Sequence, residues 1–172
     1  MKSFNSLLSF STVAIAISAS LAAADVGAVI QTRNSVTTAA GICQPAINDA
    51  KLRMRTLSVA NEDKGSWYVT CAFTSDGAIV RATVWASTQD GSAHNLTCVG
   101  ISGFQTGANQ YVVKQASLSA NGGRSAMQWN TADFSGNSRS FPGEGRFSVS
   151  CALPPGVGIN DAELEFREDV GM

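Results

Sequence analysis

One phrase is written twice in this chain. WYVTCAF at 67–73 and FSVSCAL at 147–153 share an aromatic start, then Val, a hydroxyl residue, Cys, Ala and a large apolar residue, eighty positions apart. Alternate residues are apolar in both: Trp67, Val69, Cys71 and Phe73 in the first, Phe147, Val149, Cys151 and Leu153 in the second. A two-residue apolar period belongs to a strand with one face in a core and the other in water. Each phrase leads into turn-forming residues, TSDGA at 74–78 and PPGVGIND at 154–161, and then into a second run, IVRATVWA at 79–86 and AELEFRE at 162–168. In these, Val80, Val84 and Ala86, and likewise Ala162, Leu164 and Phe166, are expected inside. Arg81, Thr83 and Trp85, with Glu163, Glu165 and Arg167, are expected outside. The repeated unit is strand, turn, strand, with its cysteine facing the core.

Other segments have the same period. HNLTCVG at 94–100 places Leu96 and Cys98 on one face, residues 111–118 read as a strand and residues 125–129 as a short one. Between them lie DGSA, SGFQTGAN, SANGG and FPGEG, whose Gly, Ser and Asn supply the backbone conformations that turns require. Strands punctuated by turns about every ten residues indicate an all-β fold, an antiparallel β-sandwich of immunoglobulin-like or jelly-roll-like kind. A helix is hard to place. The best attempt is AINDAKLRMR at 46–55, capped by Asn48 or Asp49, and it competes with a strand beginning near Leu52. Residues 25–40 have no firm period and read as an irregular N-terminal arm or an edge strand.

The first 24 residues have the layout of a secretory signal peptide: Lys2, an eleven-residue apolar stretch at 7–17 broken only by Ser and Thr, and Ala22-Ala23-Ala24 before Asp25. That stretch is shorter than the roughly 20 apolar residues a bilayer span needs. A secreted or periplasmic protein beginning near Asp25 is expected, with residues 41–172 as a single domain. Past residue 24 the chain carries 11 basic and 13 acidic side chains, a net charge of −2, with the basic ones scattered. Nucleic acid and anionic membranes need concentrated positive charge, so neither is an expected partner, and no membrane span is expected.

All four cysteines, Cys43, Cys71, Cys98 and Cys151, lie in the exported part. An even set in an oxidising compartment reads as two disulfides. Their spacings of 28, 27 and 53 positions contain no close pair of the kind a zinc site uses. Four cysteines allow three pairings, and chain entropy separates them by only about 1 kcal/mol. The repeat offers a choice instead: Cys71 and Cys151 hold equivalent places, and each takes a partner from the segment before it. Cys43 then pairs with Cys71, and Cys98 with Cys151.

These features together resemble a group of small secreted bacterial proteins. The resemblance rests on an early cysteine in Gly41-Ile42-Cys43-Gln44-Pro45-Ala46, a strand ending in Val-Thr-Cys, a later Leu-Thr-Cys, and a final Val-Ser-Cys-x-Leu-Pro before a strand ending in acidic residues. It runs over residues 43–169 and implies an antiparallel sandwich with a four-cysteine frame and no assigned activity. It supplies no functional residue.

Catalytic signatures are missing. His94 is the only histidine, lies in a polar DGSAHN turn and has no nucleophile elbow or metal motif beside it. Glu163 and Glu165 have the i,i+2 spacing that a carboxylate pair of a glycosidase could use, and Asn160, Asp161 and Glu163 offer oxygen ligands to calcium. Both groupings also describe an ordinary solvated strand edge, which discourages aggregation. No catalytic residue, metal or cofactor is expected. Asn95-Leu96-Thr97 is a glycosylation sequon with meaning only in a eukaryotic secretory host.

Aromatics give the one hint of a binding site. Trp85 beside Thr83 and Arg81 matches a sugar-stacking platform, since the ring face suits a pyranose and polar neighbours suit its edges. The competing role is a tryptophan that covers the end of the sandwich. Trp67 is expected in the core, while Trp129 and Tyr111 suit either environment. The functional expectation is a non-catalytic structural or interaction module with an unknown protein or glycan partner. The alternative is a carbohydrate-binding module, with Trp85 and a second exposed aromatic on one flat face.

Overall fold

The structure is a computed structural model and describes residues 27–47, 51–103, 109–135, 140–142 and 145–171. The leader expected over residues 1–24 and the Asn48 or Asp49 cap lie outside the described residues. Among the described residues, eleven strands form two antiparallel sheets. The five-stranded sheet runs in the order β2 (Cys43–Pro45), β5 (Trp67–Thr74), β10 (Arg146–Leu153), β7 (His94–Ser102), β8 (Gln110–Leu118). The six-stranded sheet runs β3 (Leu52–Met54), β4 (Val59–Asn61), β11 (Val157–Asp169), β6 (Ala78–Thr88), β9 (Ser125–Asn130), with β1 (Ile30–Thr38) also on β11.

The twin phrases become the middle of both sheets. Each strand, turn, strand unit crosses from one sheet to the other: β5 and β10 are neighbours in one, β6 and β11 in the other. Cys71 lies opposite Val149 and Val69 opposite Cys151, so exchanging the twins maps the pairing onto itself about Thr70 and Ser150. In the second sheet Thr83 lies opposite Glu163, again eighty positions apart. A local two-fold axis therefore relates the two units. The disulfides respect it: Cys43–Cys71 joins β2 to β5, Cys98–Cys151 joins β7 to β10, and in each the bonded residues are direct cross-strand partners.

The core lies between the sheets, where Val69, Val84, Val149, Ile159 and Leu164 are buried with all four cysteines. Phe147 sits among four other rings, with centroids of Phe141 at 5.0 Å, Phe73 at 5.6 Å, Phe134 at 5.8 Å and Trp129 at 5.9 Å. Trp129 is wholly buried and donates its indole N–H to the Val112 carbonyl at 3.0 Å. Gly100 lies against that indole, so closely that any Cβ there would collide with it.

Of the two readings of residues 25–40, Ile30–Thr38 takes the edge strand, β1, in register with nine residues of β11. The structure departs from expectation elsewhere: β11 begins at Val157, inside the stretch 154–161 read as a turn. Val80, expected inside, is the extra residue of a bulge opposite Glu165 and Phe166, and Ile79 and Ala82 take the inward positions. Among the described residues two short helices occur, α1 (Ala39–Ile42) and α2 (Thr131–Ser135). Asn130 caps α2 reciprocally: its side-chain oxygen accepts the Ala132 N–H, and Asp133 accepts the Asn130 N–H. Trp67 is only half-buried and donates its indole N–H to Asp63 at 2.9 Å. At 46–55 the strand alternative is the one adopted, with β3 beginning at Leu52.

Candidate functional site

The outward faces of the two sheets carry opposite chemistry. On the six-stranded sheet, direct cross-strand partners line up in three outward rows. Arg81 lies beside Glu165, Asn34 and Asn130; Thr83 beside Glu163, Val36 and Gln128; Trp85 beside Asp161, Thr38 and Ala126. Arg81 reaches Glu165 at 2.5 Å and Glu163 at 4.0 Å. Arg124 reaches Asp161 at 2.6 Å and lays its guanidinium over the Trp85 ring, 5.1 Å from the centroid. Thr83, flanked by Arg81 and Trp85, is only 5% exposed.

The structure thus brings Arg81, Thr83 and Trp85 onto one outer face and gives each a neighbour of its own. Arg81 neutralises two carboxylates, Thr83 is covered, and Trp85 is partly exposed beneath Arg124. The same contacts account for the acidic groupings. Glu163 and Glu165 share Arg81, Asp161 holds Arg124, and Asn160, the extra residue of a second bulge, accepts the Ser87 hydroxyl at 2.9 Å. Among the described residues no cluster of three or more His, Cys, Asp or Glu side chains is placed to hold a metal ion.

Three central rows on the outer face of the five-stranded sheet are built from uncharged side chains. The rows are Tyr68, Ala152, Thr97 and Gln115; Thr70, Ser150, Val99 and Val113; Ala72, Ser148, Ile101 and Tyr111. Arg146, exposed at the end of β10 opposite Thr74, borders these rows and lines the depression beside Ala72, Ser148 and Ile101. Tyr68 and Tyr111 stand 59% and 63% exposed at opposite corners. Three strand spacings across and four residues along separate them by roughly 20 Å. Between them the floor is short: hydroxyl and methyl groups on the twin strands, valines on β7 and β8. A shallow depression of about 310 Å³ touches Thr97 and Gln115 in the Tyr68 row, and another of about 340 Å³ touches Ala72, Ser148 and Ile101 in the Tyr111 row.

Sequence reasoning placed Tyr68 and Thr70 on a wet face but singled out neither tyrosine as a site residue. The signal available was the shortness of the wet positions in both twin phrases, Thr70, Ala72, Ser148 and Ser150. A tall aromatic next to such a floor stands clear of it.

At one end of the sandwich, Asn61 ties together three segments. It is almost wholly buried and donates to the carbonyls of Gly65 at 2.7 Å and Leu153 at 2.8 Å, while its oxygen accepts the Asp63 N–H. Beside it lies a depression of about 340 Å³ bordered by Arg55, Glu62, Asp63, Gln89, Asp90 and Gly156. Gly156 has φ +74° and meets the Asp90 carboxylate so closely that a side chain has no room there. The Ser92 backbone N–H and then the His94 imidazole, at 3.0 and 3.1 Å, hold the Asp90 carboxyl below its usual range. The backbone N–H of Lys64 and the Trp67 indole do the same for Asp63. Desolvation pushes Glu62 up, but hydrogen bonds from Arg55 and Arg53 outweigh it and hold the group low. His94, at the start of β7, is therefore a partner of Asp90 in the loop before it.

No protein-family model and no curated protein matches the chain. Among solved structures, the fold is similar to the GH26-CBM35 β-(1,4)-mannanase of Podospora anserina, at 13% identity and TM-score 0.44, covering 76% of this chain and 27% of that one. It is similar to an exo-β-1,3-galactanase of Phanerochaete chrysosporium at 11% identity and TM-score 0.44, covering 77% and 29%. It is also similar to a family 11 carbohydrate-binding module of Clostridium thermocellum at 9% identity and TM-score 0.40, covering 80% and 86%. The chain thus spans little more than a quarter of the two enzymes. The sheets themselves define the fold, an antiparallel two-sheet sandwich with two disulfides.

Proposed function

We propose that this protein is an exported, non-catalytic binding module that holds a neutral glycan on the outer face of its five-stranded sheet. The observation that carries the reading is the pairing of Tyr68 and Tyr111 at the corners of a twelve-residue face without a charged side chain. A neutral sugar chain offers apolar ring faces and hydroxyl edges, and takes stacking aromatics together with uncharged hydroxyl and amide groups. An extended oligosaccharide spans the distance between the tyrosines and lies over the short floor. Export fits two buried disulfides, which persist in oxidising compartments. Among the described residues no helix is long and apolar enough to cross a membrane.

Screening on a glycan array, followed by calorimetric titration of the best neutral oligosaccharide, tests the reading. Binding that is lost in Tyr68→Ala and in Tyr111→Ala, with the fold intact by circular dichroism, supports it. Binding that survives both substitutions, or a ligand that is a protein from the native envelope and not a glycan, overturns it.

A further inference from the structure

Two strands of nine residues, β1 and β8, stand at sheet edges, and they are finished differently. β8 is partly covered by its neighbours: the Trp129 indole donates to the Val112 carbonyl, the Ser125 hydroxyl to the Ser117 carbonyl at 3.3 Å, and Lys114 is held by Asp133 at 2.6 Å. One edge of β1 pairs with β11 along its whole length, and among the described residues no strand pairs with the other. β1 contains no Pro, Lys or acidic residue, and its one cation, Arg33, is paired with Glu168 at 2.5 Å. A long edge whose one charge is already paired offers its backbone groups to another strand.

The outward residues of β1 are the unusual part. Inward positions opposite Ala162 and Leu164 are polar, Thr37 and Ser35, whereas the apolar residues Ile30 and Val36 point outward and are 57% and 69% exposed. An antiparallel partner of the same sequence, centred on Arg33, sets Ile30 of each copy opposite Val36 of the other. It also sets Gln31 opposite Ser35, and Thr32 opposite Asn34. Cross-strand pairs of this kind are what fix a register. Arg33 then faces Arg33, each already neutralised by its own Glu168.

We propose that two copies of this protein associate through β1, antiparallel and in the register centred on Arg33, joining their six-stranded sheets into one continuous sheet. The occupant of the edge is a second copy, because this register makes the strand complementary to itself and pairs off both of its exposed apolar residues. The arrangement is independent of the glycan reading, since the neutral face belongs to the other sheet.

Sedimentation equilibrium up to about 1 mM protein tests the association, with thermal melts reporting the fold of each variant. The wild-type chain is expected to dimerise. The double variant Ile30→Lys, Val36→Lys sets like charges opposite each other twice and is expected to weaken the dimer at least tenfold, its melting temperature staying within a few degrees in dilute solution. The variant Ile30→Glu, Val36→Lys sets opposite charges across the same register and is expected to restore the dimer. A wild-type monomer at the highest concentration overturns the proposal. So does a dimer untouched by the two lysines, or a failure of the Glu and Lys combination to restore it.

Discussion

The two outer faces of this sandwich grow from the same repeated unit and end in opposite states. On the local two-fold axis the five-stranded sheet presents Thr70 and Ser150, while the six-stranded sheet presents Thr83 and Glu163. Around Thr83 and Glu163 the charged side chains are engaged: Arg81 with two glutamates, Arg124 with Asp161 and Trp85. Around Thr70 and Ser150 there are no long charged side chains to engage. An ion-paired surface satisfies itself, and a ligand has to break those pairs before it gains anything. A neutral floor with two projecting tyrosines leaves its binding capacity to the ligand. Exposed aromatic count alone misleads here, because the tryptophan beside Arg81 and Thr83 lies on the self-satisfied side.

The largest effect expected from this contrast is on binding. Tyr68→Ala combined with Tyr111→Ala should weaken the oligosaccharide at least a hundredfold, about 2.7 kcal/mol. Trp85→Ala on the opposite face should change affinity less than twofold. Titration of both variants decides it, and a large loss from Trp85→Ala would reverse the assignment of faces. Next, Ser150→Glu puts one charge at the centre of the neutral floor. It should cost roughly tenfold in affinity through an unpaired, desolvated carboxylate, with the melting temperature little changed.

Stability gives the converse experiment. Arg81→Met removes the shared cation and leaves Glu163 and Glu165 side by side. The pair is partly exposed and screened by solvent, so a loss of about 0.5–1 kcal/mol is expected in urea denaturation, smaller in high salt. Glycan affinity should not respond. A loss of binding equal to that of the tyrosine variants would mean the faces are coupled.

The smallest expected effect is local and acid-dependent. Asp63, Asp90 and Glu62, at the loop end of the sandwich, are all held below their usual ranges. A carboxyl lowered on folding contributes stability above its unfolded value, and that contribution is lost as pH falls through its folded value. Below about pH 4 the loops at 62–66 and 89–93 should therefore exchange amide hydrogens faster, ahead of either sheet face. Asp90→Asn should remove part of that pH dependence.

How much of this was legible in the chain depends on where each property resides. The inward residues of β5, β10 and β11 could be read because their alternation is local, and the cysteine partners followed from equivalent places in the repeat. β1 was legible only as one of two alternatives, an irregular arm or an edge strand, because a strand that is polar on its inward side and apolar outside has no usable period. Val80 was misplaced because a bulge shifts the alternation by one residue, and only the partner strand reveals it. The short helix after β9 did leave a trace, Asn130 with Asp133 three positions on, but five residues are too few for a periodic signal. The neutral face was the hardest to see. Tyr68 and Tyr111 share it only through the β5–β10–β7–β8 pairing, a property of register across four strands that no window of one sequence contains.

The two disulfides also divide the chain as a covalent object. Cys43–Cys71 closes one ring and Cys98–Cys151 closes a second, neither nested in the other, and the segment carrying β6 is the single thread between them. A peptide bond cut inside either ring leaves one molecule. A cut in the exposed residues 89–93, just after β6, leaves two pieces with no bond between them. Only sheet pairing and the shared core would then keep them together. Limited proteolysis at that loop thus turns the sandwich into a two-piece assembly, and denaturant should separate the pieces even with both disulfides intact.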